Sequence, residues 1–170
     1  MKRIVSLLLL SISFFVGAAT TTTYDFSVRS QGVDIFAYEG TTSTQLPSSN
    51  DTPSSQLSSS NYDFIEINNN TYHDFINATK NVYPALRYVV ELDETASEVT
   101  ELAVFWNGFG SNSKAKQTDG VLIYIWNSNN NSYDLLMQST NDWVEELEQS
   151  VTSNITDYID SNNQVAIYIV

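Results

Sequence analysis

Beyond residue 20 the apolar side chains of this chain recur with a period of two, and that spacing decides the class of fold it can form. In Tyr24-Asp25-Phe26-Ser27-Val28 apolar and polar residues alternate strictly, as an extended segment with one face in a core and one in solvent requires. Leu86, Tyr88, Val90 and Leu92 repeat the pattern, with Arg87 and Glu91 on the opposite face. The runs 102–106, 121–126 and 165–170 are apolar at nearly every position and predict central strands covered on both sides. Gly32, Gly40, Asn107-Gly108, residues 111–113, Asp119-Gly120 and residues 128–131 punctuate these runs with the residue types that tight turns need. Two segments differ. Trp143, Leu147 and Val151 fit one face of a helix and one face of a strand equally well, and 154–159, opened by Ser153, predicts a single helical turn. Many short strands with little helix predict an all-β sandwich or barrel.

The first nineteen residues follow another rule. Lys2 and Arg3 precede a mainly apolar run from Ile4 to Val16, closed by Gly17, Ala18 and Ala19, which is the three-part pattern of a secretory signal peptide over 1–19. As a helix the run would reach roughly 20 Å, short of the ~30 Å hydrocarbon core of a bilayer. A removable leader therefore fits better than a permanent anchor. Its loss would take two of the seven basic groups and none of the twenty acids, leaving an exported domain at 20–170 with no integral membrane association. The segment 41–61 is rich in Ser and Thr, with Leu46 and Leu57 its only aliphatics, and predicts a long mobile loop inserted in that single domain.

Composition removes several functions. With no cysteine and one histidine, the chain offers no disulfide, no cysteine or histidine zinc cluster and no thiol nucleophile. A net charge of -13 leaves no basic footprint for nucleic acid. His73, between Tyr72 and Asp74 in a polar stretch, reads as a surface loop residue. Gly108-Phe109-Gly110-Ser111 lacks the Lys and Ser/Thr of a phosphate loop and reads as a hairpin turn. Carboxylate pairs such as Glu145 with Glu148 or Asp93 with Glu94 are too abundant to mark a hydrolase. No enzyme is expected.

Calcium is the metal such a composition suits, with Asp63 and Glu66, or Asp157 and Asp160, as contributors. Trp143 and Tyr133 are the aromatic candidates for stacking on a sugar ring, although burial is the expectation for both. Asn50, Asn69, Asn77, Asn130 and Asn154 head Asn-x-Ser/Thr triplets and are candidate N-glycosylation sites, each in a polar stretch expected to be a loop.

The run 86–94, the segment Val99 to Gly110 with its Trp106-Asn107-Gly108 turn, Tyr124-Ile125-Trp126-Asn127, and residues 150–159 together resemble a poorly characterised β-sandwich domain of secreted and cell-surface proteins, common in archaea. Residues 30–40 are similar to the opening of the same module. Phe36 stands where that family more often has Trp, and Asn107 where an acid is usual. The resemblance implies a jelly-roll-like sandwich similar to discoidin and carbohydrate-binding modules, with no established catalytic residues.

These readings converge on a non-enzymatic, exported protein with a structural or adhesive role at the cell surface, whose partners are copies of itself or surface glycans. The alternative is a free carbohydrate-binding module, with or without a structural calcium. Thr20 to Val28 is ordinarily the first strand of its own sandwich; it is also a segment that could pair with a sheet edge of another subunit and build a filament or surface layer.

Overall fold

The computed structural model describes residues 2–16, 18–27, 31–43, 46–65, 72–77, 79, 82–112 and 119–170, with 2–16, 18–20, 77 and 112 described in backbone only. Its strands are β1 (Lys2–Val16), β2 (Ala18–Tyr24), β3 (Ile35–Thr42), β4 (Ser55–Gln56), β5 (His73–Asn77), β6 (Tyr83–Glu91), β7 (Val99–Asn112), β8 (Val121–Asn127), β9 (Ser132–Ser139), β10 (Glu145–Val151) and β11 (Gln164–Ile169). A one-turn helix α1 (Ser59–Tyr62) and a 3-10 turn at Ile155–Tyr158 complete the fold.

Two antiparallel sheets face each other as the expected sandwich. One runs β10-β7-β1-β2, with β5 also on β1; the other runs β4-β3-β6-β11-β8-β9. Leu86, Tyr88 and Val90 of the second sheet meet Leu102, Val104 and Trp106 of the first in the main core, and Trp106 is fully buried. Phe26 closes one end, its ring 5.6 Å from Tyr62 and 5.7 Å from Tyr88.

The doubly apolar runs 121–126 and 165–170 have a physical reason, whereas 102–106, expected to be covered on both sides, lies in the first sheet with Ala103 and Phe105 only half-buried. Val165, Ile167 and Ile169 enter the main core, while Ala166 and Tyr168 join a second cluster with Ala85, Val89, Tyr124, Trp126 and Tyr133. This cluster lies on the outer face of the second sheet, so its strands bury both faces. Trp126 therefore belongs to the outer cluster and not to the sandwich core. Asn127 organises the following turn: its Oδ1 accepts from the amides of Asn129 and Asn130, and its Nδ2 donates to Asp134.

Several expectations change. Residues 107–111 continue strand β7 instead of turning, because Gly110 passes against the Gly120 carbonyl where a Cβ would collide, and the Gly120 amide donates to Gly110 O at 2.9 Å. The ambiguous stretch after Trp143 is strand β10, paired with β7. The alternating segment at Tyr24 leaves its strand there, and Phe26 lies in a turn. Within 41–61, expected as a loop with little to bury, Pro53 and Leu57 are buried and β4 pairs with β3. Only a glycine lets that segment lie so close, since a Cβ on Gly40 would stand 2.6 Å from the Pro53 Cβ.

Candidate functional site

Two places have geometry that bears on function: the centre of the first sheet and a polar pocket on the outer face of the second. The first is built on β1. One edge of β1 pairs with β7 from Lys2 opposite Asn112 to Phe14 opposite Val99. Its other edge is shared, with β5 along Lys2 to Ser6 and β2 along Leu10 to Val16. Among the described residues β1 is the one strand partner of both β2 and β5. Leu8, Leu10 and Ile12 stand opposite Trp106, Val104 and Leu102, whereas Ser6 and Ile4 stand opposite Gly108 and Gly110. Trp106, Val104 and Leu102 belong to the main core, and the register positions opposite them fall in the stretch that carries the leader pattern. The Trp106 indole N–H is buried without a hydrogen-bond acceptor among the described residues.

The pocket has a volume of about 200 Å³. Val89 and Ala166, paired across β6 and β11, are the small side chains in its lining, with Arg87, Trp126, Asp160 and Gln164 around them. Arg87 was expected on a solvent face; it is 9% exposed. Its Nε donates to Pro53 O at 2.9 Å, Nη1 donates to Asn50 O, and the guanidinium lies 4.0 Å over the Tyr38 ring. Burial pulls its pKa below the ordinary arginine value, and the Tyr38 and Asp51 side chains oppose the shift. Asp160 is held by the amides of Asn162 and Gln164, both donating to Oδ1. The same outer face holds Tyr133, whose hydroxyl is pushed well above the usual tyrosine range by burial.

Of the candidates named from sequence, Asn50 and Asp160 line the pocket, and the other described ones are not in its lining. Tyr133 is 8% exposed and cannot present a ring to a ligand, while Trp143 is 62% exposed, against the expectation of burial, and stands apart from the pocket lining. Asn130 and Asn154 are exposed at turns with left-handed backbone at Asn131 and Asn154. Asn50 is half-buried beside Arg87, Asn77 ends a strand instead of lying in a loop, and Asn69 lies outside the described residues, as does Glu66. Among the described residues no three carboxylate or imidazole groups converge as a metal site. His73 is a buried strand residue, not a surface loop one: its Nε2 is 2.7 Å from Glu39 Oε2.

A family model described as "Uncharacterized protein, C-terminal domain" matches residues 32–170. The chain belongs to this family, AF_1625_C. No curated protein and no solved structure matches. The AF_1625_C match spans β3 to β11 and stops short of β1 and β2. β1, the strand that joins β5 to β7 in the first sheet, lies outside the matched residues. Arg87, Trp126 and the rest of the pocket lie inside the match.

Proposed function

We propose that this is an exported, non-enzymatic protein of the cell surface that serves as a structural or adhesive subunit and assembles with copies of itself by strand exchange. The observation that carries the reading is the place of β1. A leader-like stretch is the centre of the first sheet, outside the family domain, and its removal would open the edge of β7 from Val99 to Phe109 and beyond. An open edge of that length is a template for another extended segment. Head-to-tail exchange need not close into a ring and so builds filaments or a lattice. Electron micrographs of the exported protein, concentrated and negatively stained, test the reading: filaments or sheets are expected, and isolated particles alone would contradict it.

A second reading, a carbohydrate-binding module, draws support from the Arg87–Trp126 pocket. Its polar rim of Asp160, Asn162 and Gln164 offers the donors and acceptors that sugar hydroxyls use. Calorimetric titration with monosaccharides, repeated on Gln164→Ala, tests it; heats that do not depend on Gln164 would remove the pocket from the account.

A further inference from the structure

We infer that the slot vacated by β1 is filled by Thr20–Ser27 of a second copy, running antiparallel to β7 with a shift of sixteen residues from β1's own register. The inference rests on the assembly reading above and names its partner.

One event produces both halves of the contact. When residues 1–19 depart, β7 loses the neighbour along its edge, and β2 loses its one strand partner among the described residues. Unpaired backbone groups next to a core are costly, so the acceptor edge and the orphaned strand each need a substitute.

The residue pattern selects the register. A shift of sixteen sets Thr20 and Thr22 where Ile4 and Ser6 stand, opposite Gly110 and Gly108, and sets Tyr24 and Phe26 where Leu8 and Leu10 stand, opposite Trp106 and Val104. Small β-branched residues meet glycines, and aromatic residues meet the apolar half of β7. Tyr24 also brings a hydroxyl to the position opposite Trp106, whose indole N–H lacks an acceptor among the described residues. Thr21, Thr23, Asp25 and Ser27 take the other face.

Direction makes the contact intermolecular. β1 is antiparallel to both β7 and β2, so β2 runs parallel to β7 within its own chain. To take the slot in β1's sense it would have to reverse within the few residues before β3, which stays paired with β6 from Ile35 on. A segment from another copy arrives without that tether. Tyr24 and Phe26 cannot occupy both places, so the isolated subunit keeps them in its own core and the assembled one gives them to its neighbour.

The chain has no cysteine, which permits a clean cross-linking test. Two variants of the exported chain, Ser27→Cys and Ala103→Cys, are mixed and oxidised; the register places these positions opposite each other, as Ser11 stands opposite Ala103 now. A disulfide-linked heterodimer is expected, and none above background when Glu101→Cys replaces Ala103→Cys. If Ala103→Cys does not fold, Asp25→Cys with Phe105→Cys reads the same register. Assemblies that form without the matched cross-link would overturn the donor and register while leaving the assembly reading standing. An intrachain disulfide in monomers of the double variant would overturn the exchange itself. A chain that stays monomeric at every concentration would sink both readings.

Discussion

The Tyr24 hydroxyl donates to the Glu94 carboxylate and accepts from the Asp93 amide at 2.8 Å, tying the end of β2 to the turn that follows β6. Tyr24→Phe removes one donor and one acceptor and leaves a part-buried carboxylate short of a partner. It should cost about 1–3 kcal/mol in denaturant melts. A loss below a few tenths of a kcal/mol, within the range of a neutral substitution, would place this contact among the exposed ones that contribute little.

Burial and the Glu94 bond hold the Tyr24 hydroxyl neutral well past its ordinary range, and burial pushes Tyr168 up to about 12. Both groups ionise in the unfolded chain near the reference value of 10.0. Above that pH the unfolded state binds fewer protons than the native one, so stability falls as pH rises. Melting temperature should decline from about pH 10 upward, and the slope should be smaller in Tyr168→Phe. An unchanged slope in that variant would show that Tyr168 does not contribute to the alkaline loss.

Trp106 and Trp143 separate core from surface. Emptying the fully buried Trp106 position by Trp106→Ala should cost about 3–5 kcal/mol, whereas Trp143→Ala, at a position 62% exposed, should stay within about 0.5 kcal/mol of the parent. Denaturant melts of both decide it. Equal losses would contradict the burial assigned to the two sites.

Arg87 holds the segment around Asn50 and Pro53 by two carbonyl hydrogen bonds. Arg87→Met keeps much of the length and leaves both carbonyls without that donor, so limited proteolysis should cut the 46–56 segment faster than in the parent. Arg87→Lys should restore little, since one ammonium does not reproduce the planar fork that serves two acceptors and covers Tyr38. Identical digestion of all three would mean that the segment is held by Pro53 and Leu57 burial alone.

Much of the second sheet was legible because period-two alternation and doubly apolar runs are local signals: β6, β8 and β11 fall where 86–92, 121–126 and 165–170 predict them. What could not be read depends on partners distant in the chain. Gly108 and Gly110 look like a turn until Gly120 is beside them. His73 finds Glu39 thirty-four residues away, and Arg87 finds carbonyls in a polar stretch that has no apolar pattern of its own. The run Ile4 to Val16 carries a leader's composition, yet β1 pairs with β7 nearly end to end. An unbranched and branched apolar run of that length suits either fate, and nothing within it names its strand partners. The pocket was missed because Arg87, Trp126 and Gln164 come from three strands whose order in the sheet is not their order in the chain.

The place of β1 is tested most directly by sedimentation of two forms of the protein across a concentration series. The chain that keeps residues 2–19 has its slot filled and should sediment as a monomer throughout. The chain beginning at Thr20 should form species that grow with concentration, and Thr20–Ser27 added as a free peptide should cap them back to small units. Monomers from both forms, at every concentration and with or without the peptide, would contradict the account.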